Sequence, residues 1–202
     1  MKKAVWFIHG RSGFASEAEH YIPLFEGYDV IGFDYGSRLP WDAEKEFPAE
    51  YKRLSEKYDS ITVVAISIGA YYTLSNLGLE KIERAFLISP IVDMVKVVSD
   101  MMKMANVTEE ELKEKSIIET DFGETLSWQY YTYVKEHPIK WNIPTDILYG
   151  ENDNFTDIGT MRSFAEKINA TLTVMKGGEH WFHTDEEMKF LDEWINEKKA
   201  AK

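Results

Sequence analysis

Short apolar runs alternate along the chain with longer stretches that mix charged residues with regularly spaced apolar ones. Ala4–Ile8, Asp29–Phe33, Ser60–Ile66, Arg84–Ile88, Pro144–Tyr149 and Thr171–Met175 are compact and rich in β-branched or aromatic residues, which predicts strands. Ser60–Ile66 carries no charge, so both of its faces are expected to be covered. Trp41–Tyr58, Gly69–Leu77, Asp157–Ile168 and Thr184–Glu197 predict helices, the last with Thr184 or Asp185 as its cap. Six strands alternating with helices imply an α/β fold, a mostly parallel sheet with helices on both faces. The rhythm breaks between Ile91 and about His137, a Met- and Glu-rich segment of mostly helical pattern with a cap at Thr108. The chain, 1–202, therefore reads as one domain in which 91–137 is an insertion after the fourth strand. The Lys198–Lys202 tail is expected to fray.

Composition narrows the function. A chain of 202 residues with 44% hydrophobic and 29% charged residues is an ordinary globular domain. Its formal net charge of -12 disfavours nucleic acid and anionic membranes, and leans towards neutral or cationic substrates. With no cysteine there is no disulfide, thiolate nucleophile or Cys-ligated metal. The apolar run after Met1-Lys2-Lys3 is shorter than the roughly 7–15 residues of a signal peptide core. No run approaches the roughly 18 apolar residues of a membrane span. A cytoplasmic protein is expected.

The chemistry is carried by Ala65-Ile66-Ser67-Ile68-Gly69, which lies between the strongest strand and a helix. A small-x-Ser-x-Gly turn in that context leaves the serine exposed at a sharp reversal, where only small residues fit two positions away. The N–H of Ile68, at the start of the helix, would face an oxyanion forming at Ser67.

Four segments, each after a strand, together resemble the α/β-hydrolase family, a likeness that spans nearly the whole chain. His9-Gly10-Arg11-Ser12-Gly13 resembles the family's oxyanion loop, and Ala65–Gly69 its nucleophile elbow. Tyr149-Gly150-Glu151-Asn152-Asp153 resembles the turn that carries the acid. Gly177-Gly178-Glu179-His180 resembles the loop that carries the histidine. The order Ser, Asp, His is that of the family. Ala65 departs from the usual Gly, and the sheet lacks the two leading strands of larger members. The resemblance implies a serine hydrolase with Ser67 as nucleophile, His180 as general base and Asp153 as its orienting acid. The N–H groups of Arg11 and Ile68 would form the oxyanion hole. It implies a carboxylic-ester hydrolase for a small or medium ester, with no cofactor or metal. A thioesterase, amidase, peptidase or C–C hydrolase on the same triad, or a catalytically silent binding protein, are the alternatives.

Each of these residues has rivals. Ser89 also ends a strand, but Pro90 follows it and no elbow surrounds it. His183 follows His180 by three residues, a spacing that does not match H-E-x-x-H, so a metal pair is disfavoured. His9 is read as packing in the oxyanion loop, and His20 and His137 as surface residues. Asp157 is read as a helix cap. Glu151 precedes the tip of the turn, and Asp93 is an alternative position for the acid. Asp34 is expected to hold the loop near the oxyanion site, and the Arg11 side chain could clamp a substrate carboxylate. In the insertion, Trp128, Tyr130, Tyr131 and Tyr133 form an aromatic cluster. It reads equally as a packing face or as a lid, with Trp128 and Tyr131 lining an apolar pocket.

Overall fold

The computed structural model describes residues 1–200. Its core is a parallel sheet of β1 (Lys3–Ile8), β2 (Asp29–Phe33), β3 (Ser60–Ile66), β4 (Arg84–Ile88), β7 (Thr145–Gly150) and β8 (Thr171–Met175). The spatial order is β2-β1-β3-β4-β7-β8, parallel at every pairing. The period-two alternation of strand side chains decides which residues meet which layer. Ala4, Trp6 and Ile8 of β1, Val63 of β3 and Leu87 of β4 face one way. They pack against α1 (Pro40–Ser55), α2 (Ser67–Asn76) and α6 (Ile158–Lys167) through Phe47, Leu74 and Met161. Val5, Phe7, Val64 and Phe86 face the other way, onto α7 (Asp185–Ala200) and a 3₁₀ segment, Ala15–Leu24, through Trp194, Ile195 and Tyr21. With both faces covered, the central strands are mostly apolar, and residues 61–65 of β3 are buried.

Residues 91–137 hold α3 (Met94–Met104), α4 (Glu109–Lys115), α5 (Trp128–Glu136) and a small antiparallel hairpin. The hairpin pairs β5 (Ile117–Glu119) with β6 (Thr125–Ser127), so the segment is less uniformly helical than its pattern suggests. The expected fraying of Lys198–Lys202 does not extend to residues 198–200, which continue α7; 201–202 lie outside the described residues. Among the described residues no helix is long and apolar enough to cross a membrane.

Every parallel strand ends at the same edge of the sheet. That edge receives the loops after β1, β2, β3, β4, β7 and β8, and it is where the site forms.

Candidate active site

The turn from β3 into α2 is tight. Ile66 is still extended, whereas Ser67 opens the helix at φ 52°, a left-handed conformation that a residue with a side chain adopts only under constraint. Close packing supplies the constraint. A Cβ on Gly69 would lie 2.2 Å from the His9 carbonyl oxygen, and one on Gly10 would lie 3.3 Å from Ser67 Cβ. The elbow and the loop after β1 are therefore packed backbone to backbone. Ile91 N–H donates to the Ser67 carbonyl at 3.3 Å, bracing the turn from the far side.

Ser67 Oγ lies 2.8 Å from His180 Nε2, and His180 Nδ1 lies 2.7 Å from Asp153 Oδ2. The Asp153 side chain is fully buried and the His180 ring is 13% exposed. A carboxylate can only accept, so Nδ1 carries the proton and Nε2 is left to accept from the Ser67 hydroxyl. The second Asp153 oxygen accepts from Phe155 N–H at 2.8 Å and Thr156 N–H at 3.1 Å, which orients the carboxylate. The two loops are joined directly. Asn152 N–H donates to Gly178 O at 2.8 Å, and Gly177 N–H donates to Glu151 Oε2 at 3.0 Å. A Cβ on Gly150 would lie 2.4 Å from Glu179 O, so only glycine permits this approach.

The loop after β1 turns at Gly10–Gly13, closed by Gly13 N–H to Gly10 O at 3.1 Å with Ser12 at φ 65°. His9 is buried and structural: its ring stacks on Tyr35 at 4.4 Å, and its Nδ1 lies 2.8 Å from Gly10 O. Tyr35 Oη donates to His9 O at 2.9 Å. Asp34 is exposed. The neighbouring loop is instead tied by Tyr35 and by Glu46, which accepts from Gly36 and Ser37 N–H at 2.9 Å each. A half-buried phenol reaches the loop where the exposed Asp34 does not.

Among the rivals, Ser89 ends β4 at φ 43° with its hydroxyl buried and unpartnered. Asp93 caps α3 through Lys96 N–H, and Asp157 caps α6 through Thr160 N–H. His183 stacks on Trp181 at 4.3 Å. His20 pairs with Asp192 at 2.7 Å, and His137 stacks on Tyr133. Among the described residues no three His, Asp or Glu side chains converge as a metal-binding group.

The insertion reaches the site from the side of the loop after β1. Arg11 Nη1 pairs with Glu124 Oε1 at 2.6 Å, so this guanidinium is engaged by the hairpin rather than held ready for a carboxylate. Tyr133 Oη donates to Glu44 of α1 at 2.9 Å, and Trp41 packs on Tyr130 and Tyr133. The polar and ring partners of Trp128 and Tyr131 lie inside the insertion. The two rings pack together at 6.2 Å, and Tyr131 Oη donates to Glu109 at 3.2 Å. Tyr130 and Tyr133 are thus the α5 side chains that meet the body of the fold outside the insertion. Burial pushes the Tyr130 phenol well above the usual range, Tyr72 and Tyr71 add to this, and Arg11 opposes it. Burial likewise pushes Tyr72 up to about 12, with Tyr71 and Asp42 adding and Arg11 opposing. Sequence pattern placed Tyr130 in the aromatic cluster but missed Tyr35 and Phe155, whose ring packs 4.6 Å from the His180 ring. It also missed Glu187, although Thr184-x-x-Glu187 is a capping-box spacing.

No protein-family profile and no curated protein sequence matches the chain. Solved structures do. Est1E from Butyrivibrio proteoclasticus superposes with a TM-score of 0.71 at 16% identity, over 99% of this chain and 87% of that one. Mouse alpha/beta hydrolase domain-containing protein 10 gives 0.71 at 15% identity, over 98% and 90%. The Pyrococcus furiosus esterase Pf2001 gives 0.63 at 22% identity, over 98% and 80%. The fold is that of the α/β-hydrolases.

Proposed function

We propose that this protein is a serine hydrolase that cleaves small or medium carboxylic esters in the cytoplasm, through an acyl-enzyme on Ser67. The reading is carried by the unbroken hydrogen-bond chain from Ser67 Oγ through His180 to the buried Asp153 carboxylate. Ser67 Oγ attacks the ester carbonyl carbon as its proton passes to His180 Nε2. Asp153 holds the Nδ1 proton and stabilises the imidazolium. The N–H groups of Arg11 and Ile68 receive the oxyanion, and each such donor contributes about 3–4 kcal/mol. Collapse breaks the bond to the alcohol, which leaves with the proton from His180. Water, deprotonated by His180, then attacks the acyl-enzyme, releasing the acid and restoring Ser67.

Of the neighbours with this fold, one is named an esterase and another an alpha/beta hydrolase domain-containing protein, which supports the hydrolase class. Exposed apolar rings beside His180 and next along the chain to the histidine and the loop after β1 support an ester with an apolar group. Phe155 lies against His180, Trp181 follows His180 and is 69% exposed, and Phe14 follows the oxyanion loop and is 66% exposed. Turnover of p-nitrophenyl esters of increasing chain length tests the reading. Wild type is expected to hydrolyse at least one, and Ser67→Ala to lose roughly 10⁴-fold or more in kcat. Equal turnover by Ser67→Ala overturns it.

A further inference from the structure

We propose that Glu187 is the positioning residue of this site: its carboxylate anchors the loop bearing His180 on both sides of the histidine and so holds Nε2 against Ser67. The proposal rests on the serine-hydrolase reading above.

Residues 179–183 lie in no helix or strand. The loop's apolar anchor is Phe182, buried in the core between the sheet and α7. Such burial is non-directional and leaves open which way the neighbouring His180 points. Direction comes from Glu187, on the first turn of α7. Its Oε1 accepts from Glu179 N–H at 2.9 Å, one residue before His180. Its Oε2 accepts from His183 N–H at 3.1 Å and Thr184 N–H at 3.0 Å, and from Thr184 Oγ at 2.8 Å. The side chain is only 6% exposed, and a buried carboxylate is tolerated where donors converge on it. Burial raises its pKa, and the donors from Glu179, Thr184 and His183 outweigh burial and bring it to about 2.

Helix capping alone accounts for only part of this. The reciprocal bonds between Thr184 and Glu187, with Glu187 N–H donating back to Thr184 Oγ at 3.2 Å, form a capping box. The bond to Glu179 N–H lies five residues before the cap and adds nothing to it. Together with the bond to His183 N–H it spans the histidine. Next to Glu179, Gly178 O receives Asn152 N–H from the loop bearing Asp153. His180 is thus held between the Asp153 loop and Glu187.

The test uses Glu187→Gln with Thr184→Ala as the control. Glutamine keeps the shape, but its amide offers one accepting oxygen and a donating NH₂ where four donors meet. Thr184→Ala weakens the cap and leaves the bonds to Glu179 and His183 in place. Glu187→Gln is expected to lower kcat about 10- to 100-fold with KM within about twofold, because displacement of a reacting group of about 1 Å costs that much. Thr184→Ala is expected to lower Tm with kcat within about twofold. In histidine-labelled protein, the His180 imidazole should give one sharp NMR signal set in wild type and Thr184→Ala, and broadened or multiple sets in Glu187→Gln. If Glu187→Gln does not fold at the assay temperature, Glu187→Asp, which keeps the charge but not the reach, is read the same way. Wild-type kcat with an unchanged His180 signal in the folded variant overturns the proposal. If wild type hydrolyses no ester, the functional reading fails separately, and the NMR comparison still decides whether Glu187 positions His180.

Discussion

Replacing Gly69 by alanine separates local helix preference from the demands of the site. Gly69 is the third residue of α2, where alanine is ordinarily better than glycine by about 1 kcal/mol. Here the new Cβ would lie 2.2 Å from His9 O, 2.9 Å from Ile8 Cγ2 and 3.1 Å from Ile8 O. A carbon–oxygen contact settles at roughly 3.3–3.6 Å, so the gap must widen by about 1 Å. No flexible side-chain tip is there to yield at His9: its carbonyl is held by Tyr35 Oη at 2.9 Å, and Gly69 is two residues from Ser67. Overpacking of this kind costs about 1–3 kcal/mol and offsets the helix gain. The displacement falls between Ser67 and the loop carrying Arg11. Loss of one oxyanion donor lowers turnover roughly 10²–10³-fold. The assay is the rate of ester hydrolysis beside thermal unfolding. Gly69→Ala should fold with Tm unchanged or lower and lose about two orders of magnitude in kcat. A raised Tm with wild-type kcat would refute the reasoning.

Acid should loosen the histidine loop through Glu187. Its folded pKa is depressed to about 2 from 4.5, so its contribution is complete above pH 4.5 and is lost as pH falls towards 2. Thermal scans across that window should show a steeper fall in Tm for wild type than for Glu187→Gln, and parallel curves would sink the assignment. Phe155→Ala, which removes the ring beside His180, should reduce kcat/KM for long-chain or aromatic esters several-fold more than for acetate; an unchanged preference across the ester series counts against an apolar mouth.

Much of the fold is legible in the sequence because the six parallel strands are short, apolar and bounded by loops. Asp29–Phe33, Ser60–Ile66, Arg84–Ile88 and Thr171–Met175 coincide with β2, β3, β4 and β8. The 3₁₀ segment escapes the pattern for a physical reason. Its buried residues Ala18, Tyr21 and Leu24 recur every three positions, the period of a 3₁₀ turn rather than an α-helix, and Pro23 lies within it. The hairpin in the insertion escapes because three-residue strands are too short to display alternation.

At the site, Ser67, Asp153 and His180 are legible because each follows a strand within a short motif, and the structure brings their side chains into one hydrogen-bonded chain. What surrounds them is not legible in the same way. Tyr35 reaches His9 across 26 positions, and Arg11 meets Glu124 across 113. Such pairings depend on tertiary placement that no local pattern encodes. The same holds on α5, where composition does not distinguish Tyr131, packed within the insertion, from Tyr130, packed on Trp41 outside it.

The most direct measurement is intact mass after exposure to a fluorophosphonate probe, which reacts with a serine only where a base activates it. Wild type should gain the mass of a single adduct, mapped to Ser67, and Ser67→Ala and His180→Ala should gain none. A folded wild type that stays unmodified, or an adduct that persists in Ser67→Ala, would contradict the account.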